Sequence, residues 1–498
     1  MAEGLKLLIL CAGMALPVTA AAQPMDHAAR QQVETTAARL ADPAADRALA
    51  DKAAALMTGL GLTFAAPAVA SIPRPDFVTD GAAVVELVDI RLLLTQIAIQ
   101  TGARDHIALV RAQGTRDHGV ILLRGGFVSL QDLLELAQGT PAQEFVTRTD
   151  DGIVLTRPLA IWADAGLTLA KGDRLILSRE TGSFVANLGW LDVPGGEIIG
   201  AGDANTAEPG FRPFVLTARR GNLTAEGANF ESLGFGDAAV FGGIAIASNG
   251  LVPPRFAAAI TGSTLTDVRS LGLLGTTGAT VAENHFTGSD GTAILIAHAQ
   301  ASTVANNRLD ALTGPQAIRV TAAASGVTIS GNLVSGPART GILIDRESRD
   351  ITIAGNLVQG SQTTGIGTDG ASCVFITANL VASNGGVGVA LSDTEAATIS
   401  GNAILFNHGS GVLLRNQPDQ TPVRVAGNVF VGNRDGLRGA TPGKVTLESN
   451  DFEGQTPRVF AGDFAPLTVE WLRNRRDGVP IAVAALPAAS VCANAGAN

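Results

Sequence analysis

Eight side chains of this chain have types that can do chemistry on a charged ligand: His298, Arg319, Asp345, Arg346, Asp369, Asp393, Arg415 and Arg438. An imidazole moves a proton near neutral pH, so His298 is a candidate general base. Guanidinium groups hold a carboxylate in a planar fork and neutralise it, a role open to Arg319, Arg346, Arg415 and Arg438. Asp345, Asp369 and Asp393 could act as paired carboxylates or ligate Ca²⁺. Arg346 and Arg415 compete for those same carboxylates, so no metal and no cofactor is expected. A plainer reading stands beside each: outward charges on a repeat protein are mostly solvated, and pair for little energy. A lone histidine is more often structural than catalytic, and His408 at a turn is read as structural.

The elements that must position these groups are short and repeated. An asparagine recurs at 284, 307, 332, 356, 379, 402, 428 and 450, seven steps of 22 to 26 residues. Gly precedes it at 331, 355, 401 and 427. A second column places a small residue before an aliphatic run: Ala317-Ile318, Gly341-Ile342, Gly365-Ile366, Gly388-Val389, Gly411-Val412. A period in the low twenties with β runs is the pattern of stacked coils that bury their apolar faces only against neighbours. The repeated Asn suits a side-chain ladder from coil to coil and a tight backbone. No Leu-x-x-Leu-x-Leu signature and no helical period is present. The expected fold class is all-β, a right-handed parallel β-helix (a pectin-lyase-like solenoid). Alternation along each strand points Ile342 and Ile344 inward. Positions two and four after the small residue then face out and carry Arg319, Asp345, Asp369, Arg415 and Arg438. His298, Arg346 and Asp393 follow at the turn. With strands ~4.8 Å apart this predicts a ladder of charge on which an extended polysaccharide can lie.

The rest of the chain frames that array. Of 498 residues, 59 are Gly, 18 Phe, 3 Trp and none Tyr, so the core must be aliphatic. A net charge of -10 argues against nucleic acid as a partner. Lys6, the apolar run Leu7 to Val18 and the small residues before Gln23 read as a signal peptide over 1–22, too short to span a bilayer. No later run is long enough for a membrane span. Residues 23–150 are expected to form a helical and α/β region, with Ser129-Leu130-Gln131-Asp132 opening a helix. The β-helix is expected over 151–450 and a cap with Trp471 over 451–498. Cys373 and Cys492 could pair in an oxidising compartment, but two idle thiols are the expectation.

Several stretches resemble the periplasmic mannuronan C-5 epimerases of alginate biosynthesis, over roughly residues 115 to 450. They are Ile121 to Leu130, Pro158 to Ile161, Ala165 to Leu169, Leu175 to Asn187, Phe211 to Phe214 and Gly341 to Ser348. The resemblance implies a parallel β-helix and epimerisation of mannuronate to guluronate within the polymer. That reaction removes a proton beside a carboxylate, so it needs a cation to neutralise the carboxylate, a base, and a proton donor. The family's Asp-Pro-His-Asp motif corresponds here to Leu295-Ile296-Ala297-His298-Ala299, which keeps the histidine without its flanking Asp. Its Ser-Arg-Glu corresponds to Thr321-Ala322-Ala323, leaving Arg319 or Arg346 as carboxylate clamp. With no Tyr, a solvent proton must serve.

Three functions compete on this reading. The first is a divergent polyuronate C-5 epimerase using His298, Arg319 and Arg346, with Asp345, Asp369, Asp393, Arg415 and Arg438 binding substrate. The second is a non-catalytic groove guiding an exopolysaccharide through the periplasm. The third is an Asp-dependent hydrolase or lyase. The expected partners are an anionic or neutral exopolysaccharide and a polysaccharide secretion complex, and the expected location is the periplasm.

Overall fold

A computed structural model describes residues 49–63, 81–101, 106–114, 118–218, 220–248, 256–336, 338–419, 421–476 and Cys492. The proposed signal peptide lies outside them. The chain is a right-handed parallel β-helix, whose three sheets hold 15, 13 and 14 strands. Successive strands pass from sheet to sheet, so each coil stacks on the one before. Two hairpin-like antiparallel pairs stand at the start: Val84–Asp89 with Gly119–Arg124, and Val146–Thr149 with Gly152–Leu155. The 15- and 14-stranded sheets begin with these pairs and the 13-stranded sheet with Phe127–Ser129, and they end at Arg458–Gly462, Asp451–Gly454 and Val445–Glu448 in turn. Gly119–Arg124 carries a continuous apolar run because both its faces are covered, which hid its membership of the repeat.

The core is built from aligned aliphatic columns. Ile294, Ile318, Ile342, Ile366, Val389, Val412 and Leu437 are in register on successive coils and fully buried. The small residue before each of them is dictated by space. A Cβ on Gly388 would sit 2.7 Å from the Gly411 carbonyl oxygen and 2.8 Å from Nδ2 of Asn407.

The asparagine ladder forms. Nδ2 of Asn332 donates to Oδ1 of Asn356, and Nδ2 of Asn356 to Oδ1 of Asn379, both at 2.9 Å. Each Oδ1 also accepts the backbone N–H of the preceding Asn. The tight backbone, however, falls on the residue before. Glu283, Asn306, Gly331, Gly355, Ala378 and Gly401 all have φ between 54° and 66°, which explains the glycines there. A second ladder escaped the sequence reading: Asn384, Asn407, Asn433 and Gln455 bond in series at another corner.

Helices close and clothe the solenoid. Helix α1 (Leu49–Gly59) lies on the outside of the 14-stranded sheet, where Met57 packs with Leu357, Leu380, Leu405 and Val431. Helices α2 (Ile90–Thr101) and α3 (His106–Ala112) cover the outer face of the 15-stranded sheet at its first coils. Helix α4 (Leu130–Ala137) begins with the expected capping box, Ser129 and Asp132 bonding reciprocally, and buries Leu130 and Leu133 in the core. At the far end, helix α5 (Leu467–Arg476) packs Leu467 and Trp471 on the last coils.

The expectation of idle thiols is corrected. Cys373 and Cys492 form a disulfide, with their Cα atoms 5.6 Å apart across 119 residues of sequence. Residues so far apart in sequence meet only through the tertiary fold.

Candidate functional site

The outer face of the 15-stranded sheet is covered at one end and open at the other. Over the first coils it is sealed by α2, α3 and Phe184, Phe211, Phe214, Phe235 and Phe241, all buried. Past Ser270–Leu274 this cover ends, and the open stretch contains all eight candidate residues.

The single ladder expected from sequence resolves into three columns. Position two reads Leu295, Arg319, Leu343, Gly367, Ala390, Leu413, Arg438. Position four reads Ala297, Thr321, then Asp345, Asp369, Ser392, Arg415, Ala440. The turn column holds His298, Arg346 and Asp393, left-handed at φ 54°, 51° and 46°. Their N–H groups donate to Thr321, Asp369 and Arg415 carbonyls on the next coil, so the turn itself is part of the stack.

Distances along the stack decide what meets. Arg319 lies one coil beyond the coil of His298. Arg346 lies two coils from His298, about 10 Å, and Asp393 four coils away, about 19 Å. Asp345 and Asp369 are direct neighbours, but the next residue in their column is Ser392. Asp393 has moved one position on, into the turn, so the three carboxylates do not form one row.

The tightest constellation is Arg319 with Asp345. Nη2 and Nε of Arg319 donate to the same oxygen, Oδ2, at 2.6 and 3.1 Å. The Asp345 side chain is 10% exposed and that of Arg319 26%. Oδ1 of Asp345 and Oγ1 of its column neighbour Thr321 are buried without a partner. Strand alternation put Arg319 and Asp345 on the same face. Pairing of Asp345 with Arg319 or Arg346 across coils was one reading of the sequence, and the structure gives Arg319 as the partner, joining position two of one coil to position four of the next.

The remaining residues differ in how free they are. Arg415 donates from Nη2 to Oγ of Ser392 at 3.0 Å, and no carboxylate pairs with it among the described residues. Arg438 is drawn to Asp435 at 3.4 Å, with Arg458 on the other side at 2.7 Å. That Asp435 side chain, 1% exposed, was missed from sequence. Its only signal is a charge one position before a small residue, where other coils carry Thr. His298 is exposed, and among the described residues no side chain is hydrogen-bonded to its ring. Among the described residues no three His, Cys, Asp or Glu side chains gather as a metal site.

With this geometry the chain can be set beside known proteins. The family model described as "Periplasmic copper-binding protein (NosD)" matches residues 256–456. No curated protein matches in sequence. Among solved structures, the periplasmic alginate epimerase AlgG is similar with a TM-score of 0.56 and 19% identity, over 79% of this chain and 98% of that one. The A-module of Azotobacter vinelandii mannuronan C-5 epimerase AlgE4 is 14% identical over 69% of this chain and 86% of that one, with a TM-score of 0.36. The structural likeness to AlgG follows the resemblance seen in sequence, and it establishes the right-handed parallel β-helix.

Proposed function

We propose that this protein is an exported polyuronate-modifying β-helix that acts as a divergent C-5 epimerase. The observation that carries the proposal is the Arg319–Asp345 pair on the open face, one coil from His298. Asp345 occupies Nε and Nη2 of Arg319, which leaves Nη1 directed by a fixed partner and available to a sugar carboxylate. A carboxylate neutralised there acidifies the neighbouring C5–H. His298, at the turn of the coil before Arg319, serves as the base, and solvent returns the proton to the other face. Arg346 and Arg415, exposed and without carboxylate partners among the described residues, bind further uronates along the stack. Asp369, Asp393 and Arg438 line the same stretch. The disulfide supports a periplasmic location, since such bonds persist in oxidising compartments.

A second reading rests on His298. Among the described residues its ring has no partner to fix its orientation, as a non-catalytic groove for polymer would allow. A hydrolase or lyase using three aspartates is disfavoured by the pairing of Asp345 with Arg319 and by the displacement of Asp393. The copper in the name of the family model does not fit this chain. In the matched residues the one cysteine, Cys373, is oxidised, His285, with Asp310 at 3.2 Å, is on a different sheet from His298, and His408 lies at the coil of Val412, five coils from that of His298.

The test is deuterium entry at C5 of polymannuronate in heavy water, followed by NMR. The expected result is incorporation that falls by about two orders of magnitude in His298→Ala and in Arg319→Ala. Binding without incorporation would replace the epimerase with the guiding groove. Neither would exclude polymannuronate as the polymer.

A further inference from the structure

The surface made by α2 and α3 has a feature that covering a sheet does not require. Their inner faces already bury Ile90, Leu93, Ile97 and Leu109 on the solenoid. Their outer faces nevertheless expose Leu92, Ile99 and Ile107 at 63%, 64% and 69%. Between the helices lies a cavity of about 490 Å³, floored by Leu94 and Val110 and walled by Ala98, Ile99 and Ile107. That is within the usual size range of small-molecule sites, which are mostly apolar with a few polar groups fixing orientation.

The polar groups at the lining are Thr95, whose hydroxyl donates to the Arg91 carbonyl, His106 and two arginines. Arg91 and Arg111 stand at the lining. Arg91 is held by Asp89, whose carboxyl its hydrogen bonds lower to about 2. Its charge is therefore balanced. Arg111 is exposed and has no carboxylate partner among the described residues. His106 also lines the cavity, and neither of its ring nitrogens has a hydrogen-bond partner. Among the described residues no carboxylate lines the cavity, so there a ligand's negative charge meets Arg111, the balanced Arg91 and the imidazole of His106.

We propose that this cavity is a binding site for an acyl chain carrying an anionic head group. The chain lies against Leu94, Ile99, Ile107 and Val110, and the head group pairs with Arg111. The site is separate from the groove and does not rest on the epimerase reading.

The experiment uses the whole mature protein and titrates it with cis-parinaric acid by fluorescence, with dodecanoate and dodecanol as competitors. The expected result is saturable one-site binding displaced by dodecanoate. The double variant Ile99→Asp with Ile107→Asp, both exposed positions, weakens it at least about tenfold. Arg111→Gln weakens dodecanoate several-fold and leaves dodecanol unchanged, a split that a general loss of structure cannot produce. Binding that does not saturate, or that survives the double variant, overturns the proposal. So does sedimentation of the protein with phosphatidylglycerol vesicles when dodecanoate does not bind, since the patch would then be a bilayer contact and not a ligand site.

Discussion

Arg319 and Asp345 are unequally buried, and this sets the sign of what their loss does. Removing Arg319 leaves a carboxylate that is 10% exposed with one oxygen already unpartnered. Removing the charge of Asp345 leaves a guanidinium with more access to water. Arg319→Ala is therefore expected to cost about 3 kcal/mol, and Asp345→Asn about 1 kcal/mol, in urea unfolding. The variants also separate structure from function. Asp345→Asn frees Arg319 from its counter-charge, so polyuronate binding at low salt is expected to tighten and to become more salt-dependent. Equal losses of stability, or an unchanged salt dependence, would mean that the pair is only a surface ion pair. The residue types were legible in sequence, and so was their common face. Which cation Asp345 takes was not: Arg319 and Arg346 were both open to it, and only side-chain geometry across two coils selects Arg319.

At the scale of the element, the ladder and the small-residue column carry the stack. In Asn356→Ala the buried backbone N–H of Asn332 loses its acceptor, Nδ2 of Asn332 keeps only its two carbonyl partners, and Oδ1 of Asn379 keeps only the backbone N–H of residue 356. A loss of about 3 kcal/mol is expected, measured by thermal or urea unfolding. Gly388→Ala places a Cβ 2.9 Å from Cγ2 of Ile404 as well as against the Gly411 carbonyl, and is expected to cost about 1–3 kcal/mol. Ala293 and Ala317 fill the equivalent place in earlier coils, so a coil can be built around a methyl group there, but the later coils are packed around hydrogen. Helix α4 adds a pH dependence. The N–H and hydroxyl of Ser129 hold the Asp132 carboxyl below its ordinary value. A group depressed in the folded state contributes stability above its unfolded pKa, and that contribution fades as pH falls through the lower folded value. Ser129→Ala is expected to cost about 1 kcal/mol near neutral pH and less in acid, seen in unfolding curves across that range. Both the capping box and the main ladder were visible as spacing. The second ladder was hidden because its Asn residues recur over only three coils before Gln455 replaces them.

Across the whole molecule, two remote segments are tied to the solenoid. The Cys373–Cys492 bond closes a loop of 119 residues, so its removal in Cys373→Ser is expected to cost about 4 kcal/mol and to lower the melting temperature without changing the β-rich circular dichroism. Helix α1 hides an apolar stripe of the 14-stranded sheet. Met57→Asp should release it and expose that stripe, read as new binding of a hydrophobic dye. Sequence alone determined the repeat, its parallel stacking, the inward and outward faces, the aliphatic core and the Asn ladder. These follow from periods of two and of about two dozen residues, which are local and survive without the fold. Tertiary structure decided the rest. It set which end of the open face is roofed by α2 and α3, the split of one charge ladder into three columns, and the coupling of Arg319 to Asp345. It also joined Cys373 to Cys492. Each of these depends on the order and offset of coils or on a contact between residues far apart in sequence, and no spacing along the chain records them.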